Sequence, residues 1–251
     1  MAYTTIDKPS DYFFTKLWTG NDTAQTITGI PFAPDFVWIK NRSTAESHTL
    51  VNTVVGANNF LKSNATSANN TNSEFLKSFT SDGYTLGNAD EVNNGSNNIV
   101  GWNWKANGAG ASNEDGSTNT IKTSASTTSG FSISTYTGTG SNATIGHGLG
   151  VVPQVVIYKK TSATGNWFMY NKNIGNTKYL NLDATSAVQT YNVFQNTDPS
   201  STLLYVSGDS GGNQNSQTYV AYCFAEKQGF SKFGSYTGNG NADGPFIYTG
   251  F

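Results

Sequence analysis

Apolar and polar residues alternate in short runs along the chain, and this two-residue period is typical of β-strands. Residues 131–136 alternate in this way, whereas residues 36–39 and 151–158 are more continuously apolar, which favours strands covered on both faces. Turn-forming dipeptides such as Asp82-Gly83 separate the runs. Because Thr, Asn, Ser and Gly are poor helix formers, the pattern predicts an all-β protein with at most one helical turn, near residues 73–78.

A set of motifs recurs in the same order at a nearly constant spacing. Ala65-Thr66-Ser67-Ala68 returns as Ala184-Thr185-Ser186-Ala187, 119 residues later, and residues 99–104 match residues 219–224 at a spacing of 120. Such agreement predicts an internal duplication, with two copies of one unit that each have the size of a small β-sandwich.

The second copy is followed by the opening of a third, since Tyr236-Thr237-Gly238 repeats Tyr136-Thr137-Gly138. We therefore predict two tandem, jelly-roll-like β-sandwich units and a C-terminal partial repeat that forms a hairpin. Between the units, residues 120–124 are predicted to form a strand that pairs with residues 131–136. The predicted boundaries are 1–106 for the first sandwich, 107–228 for the linker and second sandwich, and 229–251 for the partial repeat.

Composition excludes several classes of protein. Charged residues make up only 12% of the chain and the net charge is −2, so there is no basic surface for nucleic acid. No stretch approaches 18 consecutive apolar residues, so no membrane insertion is expected. Cys223 is the single cysteine, which excludes a disulfide scaffold.

Candidate catalytic groups are few. His48 and His147 are the only histidines and do not occupy corresponding positions in the two units, so neither a catalytic triad nor an imidazole metal site is predicted. The adjacent pairs Asp90-Glu91 and Glu114-Asp115 would point to opposite faces of a strand. We interpret them as solvated turns, because two carboxylates that flank one glycosidic bond must converge.

Loop motifs add no further chemistry. Residues 113–119 carry oxygen ligands and a glycine but lack the alternating carboxylates of an EF-hand loop, so a surface turn is expected. The glycine-rich segments 138–140 and 146–150 do not join a strand to a helix in a βαβ unit, so no nucleotide site is predicted. We therefore expect no catalytic residue, no cofactor and no bound metal, and the chain is predicted not to be an enzyme.

Aromatic residues make up 13% of the chain and suggest both a core and a contact site. Trp102 and Trp104 share one face of a strand and could form a stacking platform for sugar rings. Because Tyr222 and Phe224 replace them in the second copy, we favour a core position for both pairs. Trp167 follows a turn, and we predict it to be an exposed aromatic that contacts a ligand.

Five segments of the chain, in one order, resemble a repeat domain of tailed bacteriophages, especially phages of marine bacteria. The resemblance covers nearly the whole chain and supplies no catalytic residues to carry over. The segments are DKPSDYF (7–13), PDFVWIKNRS (34–43), FTSDGYTLG (79–87), VGWNWKA (100–106) and FGSYTGNG (233–240).

The resemblance implies a virion structural protein, with a tail fibre or appendage component that contacts the host surface as the first expectation. A capsid decoration or adaptor protein with a purely structural role is the alternative. The expected partners are other virion proteins, further copies of the chain in a homo-oligomer (a trimer is one option) and a host-surface glycan. The first residues lack a basic and an apolar signal region, so we expect synthesis in the host cytoplasm and release by lysis.

Overall fold

The computed structural model describes residues 4–208 and 211–250. It confirms an all-β fold, in which a short 3-10 turn at Pro9–Asp11 precedes the first strand and one short helix, α1, spans Asp90–Asn93. The strands of the first half are β1 (Phe13–Thr19), β2 (Gln25–Ile27), β3 (Phe36–Asn41), β4 (Thr49–Asn52), β5 (Asn59–Lys62), β6 (Asn70–Thr71), β7 (Leu76–Thr80), β8 (Gly83–Leu86) and β9 (Asn98–Trp104).

The second half of the chain continues with strands and turns. Its strands are β10 (Lys122–Ser126), β11 (Phe131–Thr137), β12 (Ala143–Gly146), β13 (Val155–Lys160), β14 (Trp167–Asn171), β15 (Lys178–Asn181), β16 (Gln189–Thr190), β17 (Leu203–Val206) and β18 (Thr218–Phe224).

The strands form four antiparallel sheets. Sheet I has the order β1-β9-β3-β4-β5-β6, and sheet II has the order β2-β8-β7. Sheet III has the order β10-β11-β18-β13-β14-β15-β16, and sheet IV pairs β12 with β17. The order of strands in sheet I therefore recurs in sheet III from β11 onward, and only sheet III has a further strand, β10, outside that set. The duplication of the sequence that would explain this stays a prediction.

Three apolar cores separate the four sheets, which lie in the order II, I, III, IV. One core lies between sheets I and II, a second between sheets III and IV, and a third joins the two large sheets. The alternation of side chains explains this arrangement. In β3, for example, Val37 and Ile39 enter the core against sheet II, whereas Phe36 enters the core against sheet III.

The structure corrects two sequence-based predictions and confirms a third. Residues 76–80 form strand β7 rather than a helical turn, because Leu76 is needed in the apolar core and β8 supplies an antiparallel partner. The prediction of a C-terminal hairpin is also wrong, since no strand lies within residues 232–250. Phe251 lies outside the described residues. The pairing of the linker with the next strand is confirmed by the contact of β10 with β11.

Candidate ligand-binding groove

Trp167, which was predicted to be an exposed ligand contact, is fully buried. It lies at the start of β14 with its side chain in the core between the two large sheets. Its Nε1 donates to the main-chain oxygens of Lys62 at 3.0 Å and Ala65 at 3.2 Å. The predicted exposure is wrong, because a loop of the first unit covers the indole, and no ring face is left for a ligand to stack on.

Trp104 occupies a core, as its repetition predicts, but this core lies between the units rather than inside one sandwich. Its ring lies 4.9 Å from that of Phe13 and 5.1 Å from that of Phe36, measured between centroids. Tyr222 is buried in the same cluster and Phe224 packs against it, while Trp102 is half-buried. Large aromatic residues on this face therefore join the two large sheets.

The two histidines lie in separate parts of the fold. His147 is buried, its Nδ1 accepts a hydrogen bond from the main-chain N–H of Leu149, and its Nε2 lies 3.2 Å from the carbonyl oxygen of Ser200. Because Nδ1 is an acceptor, Nε2 carries the proton. Burial lowers the pKa of His147. Burial and the nearby charge of Lys40 lower the pKa of His48, which is half-buried.

Residues 113–119 form the expected surface turn. Asn113 accepts a hydrogen bond from the main-chain N–H of Asp115 at 3.0 Å, and Glu114 and Asp115 are exposed. Within residues 4–208 and 211–250, no group of three or more His, Cys, Asp or Glu residues could hold a metal ion. In the same part of the chain, no helix is long and apolar enough to cross a membrane.

An open groove lies between β5 and α1, with a volume of about 600 Å³. We call it the α1 groove. Asp90 and Glu91 belong to it because they occupy the first turn of a helix rather than a strand, where both reach the same rim. The α1 groove is lined by Glu46, Phe60, Lys62, Asn72, Glu74, Phe75, Asn88, Ala89, Asp90 and Glu91.

Two stacked aromatic rings support the floor of the α1 groove. The rings of Phe60 and Phe75 lie 3.7 Å apart at 11° to each other, and both side chains are nearly buried. The Nζ of Lys62 lies within 6 Å of both rings and 2.6 Å from Oε1 of Glu91. A cation held over aromatic rings and against a carboxylate is fixed in position, so Lys62 is a rigid donor at the floor.

Carboxylates dominate the rim of the α1 groove. Glu74 lies 3.1 Å from the Nζ of Lys77 and accepts a hydrogen bond from the main-chain N–H of Asn88 at 3.3 Å. The hydrogen bond from Lys77 is the main cause that lowers the pKa of Glu74. No ion pair to Glu46 or Asp90 is found among the described residues. Of the four carboxylates of the groove, Glu91 pairs with Lys62 and Glu74 pairs with Lys77, so Glu46 and Asp90 carry its uncompensated negative charge.

The corresponding surface of the second unit keeps the apolar residues and loses the charges. At the spacing of 119 that relates β5 to β15, Phe60 and Phe75 correspond to Tyr179 and Phe194. In contrast, Glu46, Lys62 and Glu74 correspond to Gly165, Asn181 and Val193. The two positions stay aromatic, but the ring of Tyr179 packs on Phe168 and the ring of Phe194 packs on Tyr158 and Tyr170, and the charged groups of the α1 groove are not repeated. Sequence reasoning missed this groove, because its residues lie in four separate segments.

Comparisons with known proteins give a family and no named relative. A family model described as a domain of unknown function, DUF7483, matches residues 8–251. No curated protein matches the chain, and no solved structure matches it.

Proposed function

Since the chain belongs to the DUF7483 family, a domain of unknown function, we propose its role from its own residues. The proposed role is that of a virion protein of a tailed bacteriophage. This protein belongs to a tail fibre or appendage and contacts a host-surface glycan. The observation that carries the glycan contact is the α1 groove, with its fixed ammonium group, amides and four carboxylates. The virion location rests on the sequence motifs that resemble phage repeat domains.

The chemistry of the α1 groove suits a neutral polyhydroxyl ligand. Carboxylate oxygens accept hydrogen bonds from sugar hydroxyls, while the amides of Asn72 and Asn88 both donate and accept them. Both asparagines are exposed at the rim. An acidic polysaccharide would meet the carboxylates of Glu46 and Asp90, which no ion pair among the described residues offsets, and would be repelled. The groove therefore favours neutral over acidic glycans.

The rigidity of the surroundings supports this role. The α1 groove lies on sheet I, which is packed on both faces, so its residues are held on a fixed scaffold. A single open groove gives weak binding, and several copies in one virion would add their contacts through avidity. This is the regime in which phage appendages would retain a host cell.

Binding measurements test the proposal. We expect the purified protein to bind a neutral glycan on an oligosaccharide array and to prefer cells of particular marine bacteria over others. Asp90→Asn together with Asn88→Ala should weaken that binding at least about tenfold, which corresponds to about 1.4 kcal/mol. Glu114→Gln in the exposed 113–119 turn is the matched control. Groove variants that bind as well as the wild type would refute the assignment of the groove.

The capsid decoration or adaptor role is the second candidate, and the extensive core between the two large sheets favours it, because a rigid stack suits a purely structural part. Gold labelling of intact virions separates the two. Label at the tail or its fibres supports the appendage role, whereas an ordered array on the head would overturn it.

A further inference from the structure

The two large sheets differ at one edge. In sheet III, β10 lies outside β11 and covers it, whereas sheet I ends at β1, which occupies the position that corresponds to β11. The sequence spacing agrees, because Trp18-Thr19-Gly20 corresponds to Tyr136-Thr137-Gly138 at the ends of these strands. Among residues 4–208 and 211–250, sheet I therefore lacks the strand that closes the same edge in its counterpart.

The hydrogen-bond pattern shows which main-chain groups of β1 are left at this edge. Lys105 donates to the carbonyl of Tyr12 and Gly20 donates to the carbonyl of Asn97, both at 2.9 Å. In an antiparallel pair such bonded positions alternate, so the even-numbered residues of β1 face β9. The N–H and C=O groups of Phe13, Thr15 and Leu17 then point away from the sheet.

The corresponding groups of β11 are used. Thr135 corresponds to Leu17 at the spacing of 118, and its carbonyl accepts a hydrogen bond from Ile121 at 2.7 Å, where β10 begins to pair. Ile133, which corresponds to Thr15, is fully buried. In β1, by contrast, Thr15 is exposed and Leu17 is 58% exposed. A seven-residue edge strand of this kind is a template for another strand.

The C-terminal tail contains a β-favouring segment that belongs to none of the four sheets. Residues 245–248 read Pro-Phe-Ile-Tyr, a composition that favours β-structure. Phe246 is 90% exposed and Tyr248 is 78% exposed, and no strand lies within residues 232–250. An apolar segment that is both exposed and outside any sheet gains most from burial against an edge.

We propose that the outer edge of β1 binds residues 245–248 of a second copy as an added antiparallel strand, so that copies join head to tail. Both ends of the tail lie near residues 226–229, because the N–H of Phe233 donates to Glu226 at 3.1 Å, and Thr249 and Gly250 line the same cleft as residues 226–229. It therefore projects as a loop. The donor segment and the acceptor edge are different surfaces, so the contact is heterologous and repeats from copy to copy.

A proline substitution tests the edge without disturbing the fold. The N–H of Leu17 points outward, so Leu17→Pro removes a donor that only an added strand would use, and proline is tolerated on edge strands. Leu17→Thr is the matched control, because it shortens the side chain and keeps the N–H. Sedimentation velocity should show concentration-dependent assembly of the wild type and of Leu17→Thr, and at least about tenfold weaker assembly of Leu17→Pro.

Far-UV circular dichroism and the urea midpoint establish that Leu17→Pro is folded. If it assembles as the wild type does, or if the wild type stays monomeric at the highest soluble concentration, the proposal is wrong.

Disulfide trapping provides a second measurement that does not depend on proline. Leu17→Cys and Ile247→Cys are made as separate variants, and Cys223 does not compete because it is buried. Bonded pairs in antiparallel strands bring Cα atoms to about 5.5 Å, which suits a disulfide. A mixture of the two variants should form a crosslinked dimer, and each variant alone should not. The double variant should form a ladder, whereas a crosslink confined to one chain would overturn assembly between copies.

Discussion

The indole Nε1 of Trp167 donates to the main-chain oxygen of Lys62 at 3.0 Å, although 105 residues separate the two. Beside this contact, the Nζ of Lys159 and the N–H of Gly165 both donate to the carbonyl of Thr66 at 2.9 Å. The loop after β5 is thus held by three donors from the second unit, next to the apolar core that joins the large sheets. We therefore expect the two halves of the chain to unfold together.

Trp167→Phe should lower the free energy of unfolding by about 1–2 kcal/mol, because it removes a donor and leaves two buried carbonyls with one partner fewer. Trp167→Ala should cost about 3–5 kcal/mol, since it also opens a cavity between the large sheets. Urea unfolding followed by circular dichroism measures both. Trp18→Phe is the control within one unit, as Trp18 donates to Val92 at 3.0 Å. Coupling through Trp167 predicts a second unfolding transition in Trp167→Ala. If that variant unfolds in one transition, and if Trp167→Phe and Trp18→Phe lower the urea midpoint equally, the coupling is refuted.

Sequence patterns identify the strands and the core residues more easily than they identify which core each residue enters. The spacing places Trp104 on a buried face, but β9 is covered on both faces, so alternation cannot tell sheet II from sheet III. For Trp167 the local turn indicates exposure, whereas burial comes from a loop about a hundred residues earlier. Asp90 and Glu91 converge on one rim because four residues form a helix that no periodicity marks. In each case a contact between distant segments decides the outcome.

Stability should rise with pH in the range where Lys159 loses its proton. Burial lowers the pKa of this fully buried lysine to about 8, below its ordinary value of 10.5. Below the folded pKa the charged form is present in both states and its burial destabilises the folded protein. As pH rises from about 7.5 to about 9.5, the folded state releases the proton first, and the unfolding free energy should gain about 2 kcal/mol.

Lys159→Met removes this titration and should flatten the rise, at the cost of the hydrogen bonds to the carbonyls of Thr66 and Gly165. Urea midpoints measured across the range compare the two proteins. Lys122→Met, on the half-buried edge strand β10, is the control and should follow the wild type. A wild-type profile that falls over this range would contradict the assignment.

Asn93 should tolerate almost no replacement, because it is fully buried and its amide Nδ2 donates to the carbonyls of Thr23 at 2.5 Å and Gly87 at 2.6 Å. Asn93→Asp keeps the shape but sets a carboxylate against two carbonyl oxygens, which should cost about 3 kcal/mol or more at neutral pH. Protonation of Asp at this position restores one donor, so part of the lost stability should be recovered near pH 4, where the wild type gains nothing comparable.

Asn98→Asp at an exposed site is the control. A loss below about 0.5 kcal/mol, the scale of ordinary surface changes, would mean that this amide is not a structural hub.

Acid should destabilise the second unit through His147. Its folded pKa lies below the ordinary value of 6.5, because burial disfavours the imidazolium, so the unfolded chain takes up a proton first as pH falls. The stability that His147 maintains is therefore complete above about pH 6.5 and is lost progressively below it. His147→Asn keeps an acceptor for Leu149 and should be less stable at neutral pH by about 1 kcal/mol, yet it should lose less stability on acidification.

Urea midpoints from about pH 7 to about pH 5 measure the difference, with His48→Asn as the comparison, since His48 is only half-buried. An acid profile of His147→Asn that is parallel to the wild type would assign the acid sensitivity to other groups.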